Sequence, residues 1–418
     1  MKFNYWRIFL LGFGFFGVSV IWATYNAFVP LFLANKFGLE AGWIGFFMTL
    51  DNIAALFIQP TVGAWSDRLR TPIGRRMPFI LIGAPIGAVV FGLIPLASAL
   101  PLFVACTTTL LLSMALWRTP VVALMPDITP SPKRSQANGI INFMGGIGSI
   151  IAFLGGSMLY KINPAYPFWL GSALVILAAL LVFLLIKEPK EYEASKAQPS
   201  LLESLKEVLK GKEKSALLIL LAIFFWFVAY NAIEAFFTLY VNKYLGQPES
   251  EGARLLSQYS LIFVLFALPA GFIGSRFGRR RTILTGLTIM SASILSLQFL
   301  PADTLLTPLT KLPVLGVIPV LGLILMVAGA GWALININSL PMVVDMTTLE
   351  RVGTFTGLYY LFSTLAAIAG PNINGWIIQA AGNDYNMITV VAPVFFLAAM
   401  AMMFFVRRGE AHTAPPTK

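Results

Sequence analysis

Twelve stretches of this chain stay apolar for about 20 residues or more, the length a helix needs to cross a bilayer. In the first half they fall at roughly 8–33, 42–65, 77–99, 102–125, 137–159 and 167–186. In the second half they fall at roughly 215–241, 255–274, 282–300, 314–340, 354–379 and 387–406. Short polar segments, rich in Gly, Pro and charge, separate them. The pattern predicts an all-α membrane protein of twelve transmembrane helices, numbered here spans 1 to 12. The first stretch is too long for a signal-peptide core and no small-residue cleavage site follows it, so it is expected to be a retained helix.

Composition agrees with this reading and narrows the chemistry. Of 418 residues, 58% are apolar and 11% charged. Soluble domains carry about 25% charge, so a water-facing surface of normal polarity is out of reach. Intrinsic disorder needs the opposite balance. Cys106 is the only cysteine and His412 the only histidine, which argues against a disulfide scaffold, a histidine metal site or a catalytic triad. No enzyme activity, cofactor or metal is expected.

The net charge of +11 is explained by where the charges lie. With both termini in the cytoplasm, the inner segments hold 23 of the 29 Lys and Arg and the outer loops hold 5; the last is Arg118, inside span 4. This bias follows the positive-inside rule and predicts the orientation. It leaves no basic patch for nucleic acid. The chain holds no Asn-x-Ser/Thr sequon, which fits a multi-pass protein of a bacterial cytoplasmic membrane.

A polar segment at 187–214 divides six spans from six. Within it Leu202, Leu205 and Leu209 recur at helical spacing, predicting a short amphipathic helix on the inner membrane surface. The expected organisation is a six-helix bundle at 1–186, this linker, a second bundle at 215–406 and a cytoplasmic tail at 407–418. The two halves repeat one another. Tyr25-Asn26-Ala27 recurs as Tyr230-Asn231-Ala232, and Asn35-Lys36 as Asn242-Lys243. Gly74-Arg75-Arg76 recurs as Gly278-Arg279-Arg280, and Asp127 as Asp345. A parallel repeat of two six-helix halves is an architecture of alternating-access carriers.

The loop after span 2 carries a family resemblance. It reads Gly63-Ala-Trp-Ser-Asp67-Arg68, then, after a widened stretch, Gly74-Arg75-Arg76-Met-Pro78-Phe79-Ile80. This is similar to the Gly-x-x-x-Asp-Arg-x-Gly-Arg-Arg loop of the major facilitator superfamily. The widened form resembles the sucrose-transporter branch of the glycoside–pentoside–hexuronide/cation symporters. So does Pro120-Val-Val-Ala123-Leu124-Met-Pro-Asp127 at the end of span 4. The resemblance implies a cytoplasmic gate built from Gly63, Asp67, Arg68, Gly74, Arg75, Arg76 and Asp127. It also implies that Asp67 meets the N-terminus of another inner helix end and latches the halves near span 11. Ser275 stands at the second copy of Asp67, so the latch is expected to be asymmetric. The sequence departs from the branch at Val122, where an arginine belongs, and at Leu111, where sugar–proton members carry an acid. Ala55 and Gln59 replace the paired carboxylates of melibiose-type members, which argues against a sodium site.

Ionisable groups at membrane depth are costly and usually face the bundle interior. Three lie well within spans: Asp51, Glu234 and Arg118. Asp51 lies about 13 Å below the outer end of span 2 and Glu234 about 10 Å below that of span 7, from the helical rise. They are the candidate proton-coupling pair, one per half. Trp22, Tyr25 and Asn26 on span 1, Arg118 on span 4, Asn231 on span 7, and Asn336 and Asn338 on span 10 are the candidate substrate contacts. Amides serve sugar hydroxyls, and aromatic faces cover the C–H side of a sugar ring. Taken one at a time, each amide is equally suited to an interhelical hydrogen bond. Glycines such as Gly12, Gly14 and Gly17 are read as close-packing positions. Pro30, Pro60, Pro85, Pro120, Pro269 and Pro341 are expected to kink their spans. The expected protein is a monomeric proton symporter of a glycoside or disaccharide in the lipid bilayer. The alternative is a drug or lipid exporter of the same fold.

Overall fold

The computed structural model describes residues 4–129, 134–188, 205–206, 208, 214–313, 315–347 and 352–410. Among the described residues, twelve helices are long and apolar enough to cross a membrane: Tyr5–Lys36, Ala41–Gln59, Met77–Leu96, Leu100–Met125, Gly139–Tyr160 and Tyr166–Leu185, then Ser215–Tyr244, Glu249–Phe277, Arg279–Phe299, Val320–Val344, Thr354–Ala380 and Tyr385–Phe405. The predicted spans are all present, and the chain is a nearly all-helical multi-pass membrane protein. In a bilayer every backbone polar group must be satisfied within the protein, which is why helix is the form these stretches take. Most of the predicted 200–210 helix lies outside the described residues; Leu205 and Val208 are helical and pack against the apolar core of the second half.

The chain forms two compact units. The first comprises residues 1–194 together with 241–257, and the second 195–240 together with 258–418. In the first unit, span 1 begins at an Asn4 cap, whose side chain accepts from the backbone of Trp6 and Arg7. Its glycines let three neighbours approach. A Cβ at Gly12 would meet Met144 of span 5 at 2.6 Å, one at Gly14 Val121 of span 4 at 2.7 Å, and one at Gly17 Ala178 of span 6 at 3.0 Å. This is the small-residue packing expected where apolar lipid offers helices no hydrophobic reason to associate. Span 2 is broken: one helix ends at Phe47 and the next starts at Leu50, with Thr49 Oγ1 bonded back to the Phe46 carbonyl.

In the second unit, spans 9 and 10 meet at Gly286 and Gly331, where backbone packs on backbone. Span 11 meets span 7 at Gly370, where a Cβ would stand 2.5 Å from the Val228 carbonyl oxygen. The predicted start of span 10 at 314 is corrected. Residues Pro308–Leu312 (β1) and Gly316–Pro319 (β2) form an antiparallel hairpin, and the helix begins only at Val320. The run is apolar enough to read as membrane, but Pro313, Gly316 and Pro319 oppose helix, and Gly316 has φ +71°. Gln258, fully buried on span 8, donates to the Val317 carbonyl at 3.1 Å and ties the hairpin down.

The repeat extends to backbone detail. Spans 1 and 7 both close in a five-residue π-helical turn, Phe32–Lys36 and Tyr240–Tyr244, which hold Asn35-Lys36 and Asn242-Lys243. Such turns are rare, so their recurrence at matching ends is strong evidence of common origin for the halves.

Candidate functional site

Two groups of residues carry the chemistry in each unit. One lies at the end bearing the Gly-Arg-Arg sequences, the other within the spans.

At the basic end of the first unit, Gly74 takes φ +118° and starts the turn into span 3. The carboxylate of Glu188 accepts from the backbone N–H groups of Arg75, Arg76 and Met77 at 3.0, 2.9 and 2.8 Å. A helix N-terminus leaves these donors without partners and carries partial positive charge, so a carboxylate fits both needs. A Cβ at Gly74 would stand 2.5 Å from that carboxylate. With the backbone fixed, both guanidinium groups turn to Asp127. Arg75 Nη2 donates to Oδ1 at 2.7 Å and Arg76 Nε to Oδ2 at 3.0 Å. Arg76 also pairs with Asp67 at 2.5 Å, and Arg75 stands 3.8 Å from it. Arg76 is 4% exposed. Arg68 is exposed and takes no part in these ion pairs.

The second unit repeats the plan with fewer charges. Gly278 has φ +96°, and the Glu410 carboxylate accepts from Arg279 N at 2.6 Å and Arg280 N at 3.2 Å. Arg279 pairs with Asp345 and donates to the Pro341 carbonyl at 2.8 Å. Ser275, in the place of Asp67, bonds only locally to the Phe272 carbonyl at 2.9 Å. Glu188 and Glu410 were not among the predicted site residues. The legible signal was that each follows the last span of its half.

Within the spans, the first unit brings Trp22, Tyr25 and Asp51 together. Trp22 and Tyr25 meet edge to face with centroids 5.9 Å apart, and Tyr25 lies in the field of Asp51. Asn52 Nδ2 donates to Asp51 Oδ1 at 2.9 Å. Trp22 Nε1 is sealed from solvent and has no hydrogen-bond partner among the described residues. Asn26 and Arg118 are partly buried.

In the second unit Tyr230 lies flat on Trp332, centroids 4.1 Å apart and planes 4° from parallel. Tyr230 and Tyr259 both stand within electrostatic range of Glu234. Phe227 meets Trp332 edge-on at 5.5 Å. The amides divide. Asn231 donates to the Phe227 carbonyl of its own helix at 2.7 Å. Asn338 is 3% exposed and joins span 10 to span 8 through the Ala270 carbonyl at 3.0 Å, so its donor serves helix packing. Asn336 stays partly exposed. Tyr259 and Trp332 were missed as site residues; aromatic residues in an apolar span are indistinguishable from lipid-facing or core residues until the helices pack.

Two half-bundles of six spans, each with a basic Gly-Arg-Arg end and a partly buried acid within a span near aromatic rings, define a major facilitator-type transporter. The chain belongs to the MFS/sugar transport protein family, which matches residues 10–407. It is similar to the putative glycoside/cation symporter YagG of Escherichia coli (strain K12), 23% identical over 94% of this chain and 86% of the relative. It is similar to Multidrug resistance protein 1 of Bacillus subtilis (strain 168), 24% identical over 55% of this chain, and it spans 57% of that relative's length. The sucrose transport protein SUC3 of Arabidopsis thaliana matches at 24% identity over 34% of this chain and 27% of its own length. The fold is shared with the nucleoside transporter NupG, at TM-score 0.75 and 15% identity over 96% of this chain and all of that one. The resemblance to glycoside/cation symporters therefore holds at the level of family.

Proposed function

We propose that this chain is a proton-coupled symporter of a glycoside or disaccharide. One observation carries the reading: each half holds one carboxylate at membrane depth beside aromatic rings, Asp51 with Tyr25 and Trp22, Glu234 with Tyr230, Tyr259 and Trp332. Rings supply flat apolar faces for the C–H side of a sugar, and the phenol and amide groups supply hydrogen bonds for its hydroxyls. A carboxylate at membrane depth is costly when ionised. A bound proton removes that cost and lets the loaded carrier reorient. Family membership and the glycoside/cation relative support the substrate class. Uptake of labelled sucrose, maltose, lactose and an aryl glucoside into proteoliposomes, with and without an imposed pH gradient, tests it. Accumulation of at least one sugar only under the gradient is expected. Extrusion of a lipophilic cation with no sugar uptake would favour the exporter reading, which the multidrug-named relative supports.

The proposed orientation puts both termini, the 187–214 segment and the Gly-Arg-Arg ends in the cytoplasm. Lys36, Lys161 and Lys243 are exposed at the opposite end. An impermeant amine reagent applied to intact cells is expected to reach these three and to leave the lysines of 187–214 unmodified. Labelling of that segment would reverse the orientation. In this reading Asp67, Arg75, Arg76 and Asp127 form the cytoplasmic gate, with Glu188 setting its backbone.

A further inference from the structure

The hairpin of β1 and β2 joins spans 9 and 10, and Gln258 fixes its height. That residue lies 19 positions before the end of span 8 at Phe277, which places it about 28 Å from the basic end by the helical rise. Span 9 runs from Arg279 at that end to Phe299, about 30 Å away. The hydrocarbon layer is about 30 Å thick. Gln258 holds the Val317 carbonyl at 3.1 Å, so β2 lies level with the hydrocarbon boundary opposite the basic end instead of standing clear in water. Gly322 fits closely beside it, and a Cβ there would overlap Gln258 Oε1. The two strands meet different surroundings. Ile318 and Pro319 of β2 are buried, whereas all five residues of β1 are exposed. Leu309, Leu312 and Val317 expose 52%, 40% and 39% of their surface. Exposed Lys311 lies between the leucines and pairs across the ladder with Val317. The apolar outer wall of the bundle begins within a turn of the hairpin, where Phe299 on span 9 and Leu323 and Val327 on span 10 are exposed.

We propose that the hairpin is an interfacial anchor whose outer strand, β1, lies among phospholipid headgroups, with Leu309 and Leu312 against the start of the acyl chains and Lys311 on lipid phosphates. The partner is the glycerophospholipid of the leaflet opposite the basic end. Three requirements meet only in that layer. Apolar side chains grouped on one short hairpin are costly in water. β1 is an edge strand, with one row of backbone N–H and C=O groups left unpaired by the sheet, and such an edge is not tolerated deeper, in hydrocarbon. The headgroup layer offers those groups water, phosphate and ester oxygens and keeps acyl carbon within reach of the leucines. Lys311 has an apolar stem and a charged tip, the form of side chain that spans such a boundary. The anchor also has leverage. It is bonded to span 8 through Gln258 and continuous in the chain with spans 9 and 10, so lipid at this one place holds three helices of the second unit at their depth.

The test uses the full chain in nanodiscs of phosphatidylethanolamine and phosphatidylglycerol, in a background with Cys106→Ala, which removes the only native cysteine. A nitrobenzoxadiazole fluorophore is attached at Leu309→Cys or, separately, at Leu312→Cys. Lipids carrying a nitroxide on the headgroup should quench either fluorophore at least twofold more than lipids carrying it deep in the acyl chain. Aqueous iodide should quench it at least threefold less than the fluorophore free in solution. Iodide quenching as strong as in free solution puts β1 in water and overturns the anchor. Stronger quenching from the deep nitroxide overturns the headgroup placement. Shielding from iodide and from both lipids means that protein covers the strand, a second copy of the chain included, and overturns the lipid assignment. Lys311→Glu should raise iodide quenching of the Leu309→Cys fluorophore at least twofold, because it sets like charge against phosphatidylglycerol. An unchanged value overturns the part given to Lys311. No arm requires transport, so the result is independent of the substrate.

Discussion

Replacing Asp51 by Asn, or Glu234 by Gln, is expected to abolish sugar accumulation driven by a pH gradient while sparing sugar exchange. A symporter moving one proton per sugar can reach about a tenfold concentration ratio per pH unit, since each unit is worth about 1.4 kcal/mol. The amide variants keep shape and hydrogen bonding but hold no exchangeable proton. Accumulation should therefore fall to a ratio near one. Exchange needs no net proton movement, and the neutral side chain resembles the protonated, mobile state. Asp51 is the stronger candidate of the two, because it lies on the helix face of Ala55 and Gln59, where melibiose-type relatives hold their coupling acids. Loss of function in Tyr25→Phe or Tyr259→Phe with coupling intact would place those hydroxyls on the sugar. If both amide variants, singly and together, still concentrate sugar under a pH gradient, the coupling role of these carboxylates is wrong.

The second large effect is on stability. Asp127→Asn should lower the apparent melting temperature in detergent sharply, whereas Asp67→Asn should leave it nearly unchanged. The side chains of Arg75, Arg76 and Asp127 are 11%, 5% and 13% exposed, while that of Asp67 is 54% exposed. Removing one partner from a buried ion pair strands the other charge and costs about 3–5 kcal/mol. Asp127 serves two guanidinium groups, and its loss leaves them only the exposed Asp67 carboxylate as a charged partner. Asp67 faces solvent, where an ion pair contributes about 0–1 kcal/mol. Its variant should fold normally and lose transport, because its charge belongs to the proposed gate. Equal melting temperatures for the two variants would mean that Asp127 is screened by water as Asp67 is.

Between them these two experiments separate what the residues do from where they sit, and that division follows what a linear sequence can encode. Span number and length are one-dimensional quantities. A bilayer has a fixed thickness and no water to satisfy a bare backbone, so runs of apolar residues such as 77–99 and 167–186 must become helices wherever they occur. The two-fold repeat is legible for the same reason: its parts, Asn35-Lys36 with Asn242-Lys243 and Gly74-Arg75-Arg76 with Gly278-Arg279-Arg280, are short strings in matching order. The close-packing glycines of span 1 could be predicted too, because only a missing side chain lets helices meet that closely.

Pairings across the chain were decided by the fold alone. Glu188 reaches the backbone of Arg76 over a separation of 112 residues, and beyond its place after the last span of the half nothing local to Lys187-Glu188-Pro189 distinguishes it from a linker acid. Whether an amide lines a path or joins two helices depends on which neighbour faces it; Asn336 and Asn338 differ by two positions, and only Asn338 meets the Ala270 carbonyl. The hairpin at 308–319 is apolar by composition, and only its proline and glycine backbone limits, together with the bond from Gln258, make it a strand pair. The segment 241–257 belongs by chain order to the second half, yet it packs with the first because Asn35 and Tyr160 satisfy Glu249 there. The sequence by itself determined what the membrane demands of each helix; the tertiary structure decided which polar groups meet, since a hydrogen bond needs both partners placed within about 3 Å of each other.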